Sequence, residues 1–181
     1  HTKVYKYHAT RSRSPWQEVQ SFETNGATDI EAFTIGGNSF LAIANSKSSG
    51  SGKIYIYNSS RTGDPFELID TIETSGTFMT WDFEFFQIGE SSFLAVANAD
   101  TNQASKIYKY NPTNQAFDWF QDIADSNHNA QRDFEAFQIE NQHYLAVANY
   151  NSVSKIYKKT TASEKFLLLQ SLGVAVVAVD V

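Results

Sequence analysis

The sequence predicts an all-β fold, a β-propeller built of four-stranded antiparallel blades of about 50 residues each. Three observations support this prediction. One stretch recurs three times, and its shared asparagines, Asn45, Asn98 and Asn149, lie 53 and 51 residues apart. Each copy consists of short apolar runs between turn-forming residues, and no segment shows a sustained 3.6-residue period. A repeat of this length made of short strands is typical of propellers and solenoids.

The first two strands of a blade are clearest in the middle copy. Residues 82–88 form an aromatic-rich run that ends at the turn signal Gly89-Glu90-Ser91. Residues 93–98, FLAVAN, are apolar on both alternating faces. Since a strand that is apolar on both faces is covered on both faces, we expect the second strand to be buried between neighbouring blades.

The last two strands of the same blade follow a polar loop. Residues 106–110, KIYKY, are predicted to form the third strand, and residues 117–123, FDWFQDI, the fourth. The fourth strand carries Asp118 and Asp122, which indicates a half-exposed outer edge. Trp119 is an exception to the repeat, and we expect it to fill the core of its blade.

The two ends of the chain match parts of a blade. The predicted division is 1–28 for the last two strands of a blade, 29–81, 82–132 and 133–177 for whole blades, and 178–181 for the first strand of the next. Because propellers typically have about four to eight blades, we expect the chain to be part of a larger ring. A second copy of the chain, or the remainder of a longer parent, would then supply the other blades.

The composition narrows the classes of partner. The net charge is −6 and the pI is near 5.1, which argues against nucleic acid or an anionic membrane, since both favour a basic surface. No apolar run approaches the roughly 20 residues that a membrane-spanning helix needs. Cysteine is absent, so disulfides, zinc–thiolate sites and cysteine nucleophiles are excluded.

The recurring pattern resembles the EAR repeat, also called the epitempin or EPTP repeat. The resemblance is carried by Phe83 and Phe86, by FLAVAN at residues 93–98 and by KIYKY at residues 106–110, with counterparts in the other copies. This family forms seven-bladed propellers in secreted or cell-surface proteins, such as the leucine-rich glioma-inactivated proteins, and binds partner proteins there. The resemblance therefore implies a seven-bladed ring, an extracellular location and a protein partner on the loop face. It is also compatible with calcium in the channel.

Acidic residues open the predicted first strands of successive blades: Asp29, Asp82, Asp133 and Asp180. In three of these strands a glutamate follows two residues later, on the same side of the strand. Two interpretations are open. The carboxylates could line the channel mouth and hold a cation, for which Ca²⁺ is the first choice because the ligands are oxygens. Alternatively, they serve as turn caps and as hydrogen-bond partners at the ladder edge.

Five further residues are candidates for contact with a ligand or partner: Asn45, Asn98, Asn149, Trp81 and His128. The asparagines close the second strands, where an Asx-type turn is the alternative role. Trp81 is a non-repeated aromatic residue at a position that other copies fill with Thr28 or Arg132. His128 lies in the polar loop 126–132 between two blades, and such loops carry recognition more often than strands do.

These observations predict a non-catalytic extracellular recognition module. A glycosidase needs two carboxyl groups in different environments, and a pair copied into every blade is equivalent by construction. The alternative function is a lectin, with a shallow aromatic and asparagine-lined sugar site on each blade. Asn58 is in the only N-x-[ST] sequon without proline, and we expect its glycosylation if the protein is secreted.

Overall fold

The computed structural model describes residues 1–47, 52–72, 79–99, 103–123, 130–160 and 164–173. Within these ranges the chain forms β-strands, and no helix there is long and apolar enough to cross a membrane. The strands make one two-stranded sheet and three four-stranded antiparallel sheets. The predicted fold class, an all-β arrangement of four-stranded blades, is confirmed.

The strand bounds follow the repeat. The two-stranded sheet contains β1 (Thr2–Tyr7) and β2 (Trp16–Phe22). The first blade contains β3 (Ala27–Ile35), β4 (Asn38–Asn45), β5 (Gly52–Tyr57) and β6 (Phe66–Ile72). The second contains β7 (Thr80–Ile88), β8 (Ser91–Asn98), β9 (Ser105–Asn111) and β10 (Ala116–Ile123). The third contains β11 (Gln131–Ile139), β12 (Gln142–Asn149), β13 (Lys155–Lys159) and β14 (Phe166–Ser171). Each blade is a meander in chain order.

The apolar core lies between the blades. One cluster of buried side chains joins the first and second blades and includes Phe33, Ile54, Phe83 and Leu94. A second cluster joins the second and third blades, and a third joins the two-stranded sheet to the first blade. Each sheet therefore buries its faces against the next sheet, which is how a propeller is stabilised.

The first strands of neighbouring blades contact each other, β3 with β7 and β7 with β11. We call these three the inner strands. The second strands lie behind them, and in β8 each of residues 93–97 is 3% exposed or less. The prediction that the second strand is buried on both faces is confirmed for this blade.

The prediction that Trp119 fills the core of its blade is wrong. Its side chain is 58% exposed, and its Nε1–H donates a hydrogen bond to Asp122 at 2.9 Å. The ladder register between β10 and β9 shifts between Trp119 and Gln121, so a β-bulge breaks the alternation of side chains. Phe120 packs in its place, with its ring centroid 5.3 Å from that of Phe93.

The outer strands are joined across blades by side-chain amides that bind backbone. Gln121 donates to the carbonyl of Phe166 at 2.7 Å and accepts from its N–H at 2.9 Å. Gln20 makes the same two contacts with Phe66, at 2.9 and 2.7 Å. Between the first and second blades the equivalent residue is Asp70, which accepts from the N–H of Phe117 at 3.0 Å. An ionised carboxylate has no proton to donate to the Phe117 carbonyl.

We expect Asp70→Gln to stabilise the chain by about 0.5–1 kcal/mol, because the amide adds a donor for the Phe117 carbonyl. The gain is partly offset by loss of the hydrogen bond that Asp70 accepts from Thr71 N–H at 2.8 Å. Urea unfolding measures the difference. The matched reverse change, Gln121→Glu, removes a donor and should lower stability by a similar amount. If both variants match the unaltered chain, these amide contacts do not stabilise the blade interface.

Candidate functional site

Two rows of carboxyl groups run across the inner strands, one of aspartates and one of glutamates. Because alternate residues of a strand share a face, the aspartate and the glutamate of each inner strand lie on the same side. Asp29 accepts a hydrogen bond from the backbone N–H of Phe83 at 3.0 Å, and Glu31 accepts one from Phe85 at 3.2 Å. Each of these carboxyl groups therefore reaches from the first blade to the second.

The same pair of contacts joins the second blade to the third. Asp82 accepts from the N–H of Phe134 at 3.0 Å, and Glu84 accepts from the N–H of Ala136 at 2.8 Å. The recipient strands, β7 and β11, are edge strands of their own sheets, so alternate N–H groups point away from the ladder. The carboxyl groups satisfy those donors, as the ladder-edge interpretation requires.

Burial makes these carboxyl groups hard to ionise. It raises the pKa of Asp82 to about 8, and repulsion from Asp29 and Asp133 adds to the rise. It also raises the pKa of Glu84 to about 8, with added repulsion from Glu135 and Glu31. Hydrogen bonds from the neighbouring backbone act in the opposite direction in both cases. The pKa values of Asp29 and Glu31 are also raised, chiefly by burial.

The predicted metal ligands are only partly covered by the structure. Asp29, Asp82 and Asp133 are on successive inner strands, whereas Asp180 lies outside the described residues. Among the residues that the structure describes, no three acidic or histidine side chains are grouped closely enough to hold a metal ion. Calcium binding therefore stays a prediction, and the repulsion within the row is the observation that favours it.

A β-bulge marks the start of every inner strand. The ladder register skips the residue before the aspartate, which is therefore the extra residue of the bulge. We call these three residues the bulge row: Thr28, Trp81 and Arg132. The strands consequently begin two residues before the aspartates that were expected to open them. Bulges change the direction of side chains and are common beside functional sites.

Members of the bulge row meet across the blades. The Arg132 guanidinium carbon lies 3.6 Å from the ring centroid of Trp81 and 4.9 Å from that of Tyr150. Thr28 donates a hydrogen bond to the carbonyl of Thr80, at the start of β7, at 3.3 Å. Trp81 was predicted as a contact residue from sequence, whereas Arg132 and Tyr150 were not. The available signal for Arg132 was that it occupies the same repeat position as Trp81.

The three asparagines predicted as contacts are buried at the ends of the second strands. Asn98 donates to the carbonyl of Gln103 at 3.2 Å, and Asn149 donates to that of Val153 at 2.8 Å. Asn45 accepts from the N–H of Asn25 at 3.0 Å. These side chains bind loop backbone, but the partners lie four, five and twenty residues away, so the contacts are not Asx-type turns.

The other two predicted sites lie elsewhere. His128 is outside the described residues. Asn58 follows β5 in a turn, where its side-chain oxygen accepts a hydrogen bond from the N–H of Ser60 at 3.0 Å. Asn58 and Ser60 are the first and last residues of the predicted sequon, so the sequon is part of a surface turn.

The family model described as EPTP domain matches the chain three times, at residues 17–58, 66–111 and 116–158. Each match starts in the outer strand of one sheet and ends with the third strand of the next. The repeat of the sequence is thus offset by one strand from the blade, and each unit joins two neighbouring sheets.

The chain is also similar to two curated proteins, each described as thrombospondin-type laminin G domain and EAR repeat-containing protein. The mouse protein is 34% identical over 169 residues, which cover 87% of this chain and 23% of the mouse protein. The human protein is 39% identical over 98 residues, which cover 49% of this chain and 14% of the human protein. The chain therefore spans less than a quarter of either relative.

Proposed function

Because the chain belongs to the EPTP-domain family of EAR-repeat proteins, we propose that it is an extracellular, non-catalytic module that binds a partner protein. The surface proposed to bind is the end of the blades at which the inner strands begin. One observation supports this choice above the others. The bulge and the aspartate and glutamate after it form a frame that repeats in each of the three blades. The bulge row, in contrast, presents a different side chain in each: Thr28, Trp81 and Arg132.

A fixed frame with a variable position at one end is the arrangement of a recognition surface. The residues that repeat are already used for the fold, since the inner aspartates and glutamates bind the backbone of the next blade. Their equivalence also opposes catalysis, because acid–base chemistry needs two carboxyl groups with different pKa values. Burial instead raises the pKa of Asp82 and that of Glu84 in the same direction.

The lectin alternative gains no support from the exposed aromatic residues. At the outer-strand position of Trp119 the other sheets carry Glu18, Leu68 and Leu168. A sugar site repeated in each blade would need an aromatic face at an equivalent place. We therefore retain protein recognition as the proposed function.

Binding of the fluorescently labelled full chain to mammalian cells tests this proposal. We expect saturable binding that trypsin treatment of the cells abolishes and that glycosidase treatment leaves in place. Trp81→Ala should reduce binding at least about tenfold, as expected for an aromatic residue at the centre of an interface. The matched control is Trp119→Ala, an exposed tryptophan on the outer strand. Glycosidase-sensitive binding, or equal effects of the two variants, would contradict the proposal.

We also propose that Ca²⁺ binds beside the inner aspartates, with Asp180 as a further ligand. Burial is the main cause of the raised pKa of Asp82, and a cation there would offset the repulsion from Asp29 and Asp133 that adds to it. Calorimetric titration with CaCl₂ and melting in EDTA provide the test. At 100 times the dissociation constant, bound calcium should stabilise the chain by about 2.7 kcal/mol. Asp82→Asn with Asp133→Asn should remove that gain. No heat of binding and no effect of EDTA would exclude the site.

The extracellular location predicts glycosylation. Expressed through the secretory pathway of mammalian cells, the chain should carry one N-linked glycan at Asn58, because this is its single sequon. Mass spectrometry before and after enzymatic deglycosylation measures the modification, with Asn58→Gln as the control. An unmodified secreted chain would contradict this expectation.

A further inference from the structure

Arg132 is a partly buried cation, and two of its three guanidinium nitrogens make no hydrogen bond within the described residues. Its Nε and Nη1 atoms are buried and have no hydrogen-bond partner there. The ion pairs Lys3–Glu18, Arg61–Glu67 and Lys106–Asp122 do not include Arg132. Burial of a charged group without a compensating acceptor is unfavourable. An anion at Arg132 would offset that penalty.

The surroundings hold this guanidinium in a defined place. The ring of Trp81, 3.6 Å away, and the ring of Tyr150, 4.9 Å away, attract it by cation–π contact. Neither ring can accept hydrogen bonds from the in-plane N–H groups of the guanidinium, as a carboxylate does. Tyr150 is 53% exposed, so the cluster reaches the protein surface.

We propose that Arg132, Trp81 and Tyr150 form a binding site for the side-chain carboxylate of an aspartate or glutamate in a partner protein. The inference rests on the proposed function and adds the chemistry of one contact. In a partly desolvated setting a charge-assisted hydrogen bond to guanidinium is stronger than one in water. The two rings provide apolar surface for the methylene groups beside the carboxylate.

The charge of the surroundings favours one carboxylate over a polyanion. The whole chain has a net charge of −6, and the residues after Trp81 and Arg132 in the sequence are Asp82 and Asp133. A sulfated glycan or a nucleic acid would bring several negative charges toward a chain of this net charge and be repelled. A single side-chain carboxylate brings one negative charge to the one cation of the cluster.

Trp81 fluorescence reports on the site directly. The chain has three tryptophans, and Trp16→Phe with Trp119→Phe leaves Trp81 as the single one. In this background the full chain is titrated with Ac-Gly-Glu-Gly-NH₂. We expect a saturable change in fluorescence, together with a shift of the Arg132 Nε–H signal in the NMR spectrum. The neutral isostere Ac-Gly-Gln-Gly-NH₂ should bind at least about tenfold more weakly. Equal binding of the two peptides would overturn the proposal.

Other probes distinguish the source of the anion. Sodium sulfate or N-acetylneuraminic acid binding as tightly as the glutamate peptide would overturn the assignment to a protein carboxylate. Asp100 and Asp125 follow β8 and β10 in the sequence and lie outside the described residues, and Asp100→Asn and Asp125→Asn test whether a carboxylate of the chain itself is the occupant. If either change strengthens binding of the glutamate peptide about tenfold, the chain's own aspartate occupies the Arg132 site and the proposal is overturned.

Variants separate binding from folding. Arg132→Gln should abolish the response to the glutamate peptide, and Tyr150→Ala, at a more exposed position, should weaken it severalfold without lowering the melting temperature. If Arg132→Gln unfolds the chain, Tyr150→Ala still decides the outcome, because unchanged binding in that variant overturns the site. Loss of cell binding in Trp81→Ala without any response to the peptide would leave the proposed function standing and overturn only this inference.

Discussion

We expect Leu94→Asp to abolish folding of the chain. Leu94 is fully buried in β8, within the apolar cluster between the first and second blades. The change removes a buried leucine, which costs about 2–5 kcal/mol, and places an unpaired carboxylate there at a further cost of several kcal/mol. The sum is comparable to the total stability of about 5–15 kcal/mol that most domains have. Near-ultraviolet circular dichroism and thermal melting measure the loss of tertiary structure.

The matched control is Leu68→Asp in the outer strand of the first blade. Leu68 is 49% exposed, so the same substitution there should change stability by no more than about 0.5 kcal/mol. A folded Leu94→Asp protein with a cooperative melt like that of the unaltered chain would show that β8 is not buried between blades.

The second large effect concerns pH. In the absence of calcium, the folded chain keeps protons on Asp82 and Glu84 up to about pH 8, whereas the unfolded chain releases them near pH 4. Between these values the folded state binds more protons than the unfolded state, so the free energy of unfolding falls as pH rises. The stability that protonation of Asp82 and Glu84 gives the folded chain is fully present below about pH 4 and lost above about pH 8. We expect a fall of at least about 1–2 kcal/mol from pH 5 to pH 8, measured by urea unfolding in EDTA.

Replacing the carboxyl groups of Asp82 and Glu84 by isosteric amides distinguishes the effect of their protonation from the effect of their hydrogen bonds. Asp82→Asn with Glu84→Gln retains an acceptor for the N–H groups of Phe134 and Ala136 but cannot titrate. This double variant should show a flatter pH profile and higher stability at pH 8. Glu90→Gln, in an exposed turn, should behave like the unaltered chain. A stability that rises from pH 5 to pH 8 would contradict the sign of the effect.

Much of the fold followed from the period and the apolar pattern. FLAVAN at residues 93–98 predicted a doubly buried strand, because only a covered strand has apolar residues on both faces. The bulges could not be predicted in this way. A bulge is a property of the register between two strands, and the sequence of one strand does not contain that register. Trp119 was placed wrongly for this reason.

The same limit applies to the candidate site. The inner aspartates and glutamates were found from their repetition, but the choice between a cation and backbone donors depends on the neighbouring blade. Arg132 occupies the repeat position of Trp81, and its stacking on that ring depends on how two inner strands lie side by side. Repetition identified the frame, whereas contacts between blades determined the roles.

Hydrogen exchange at two amides tests the central claim most directly, namely that the inner carboxyl groups join one blade to the next. The N–H groups of Phe134 and Ala136 point away from their own ladder toward Asp82 and Glu84. We predict slow exchange at both amides in the unaltered chain and in Asp82→Asn. In Asp82→Ala the Phe134 amide should exchange at least about fivefold faster while Ala136 stays protected, since one hydrogen bond contributes about 1 kcal/mol or more. Equal exchange of Phe134 in the unaltered chain and in Asp82→Ala would contradict the claim.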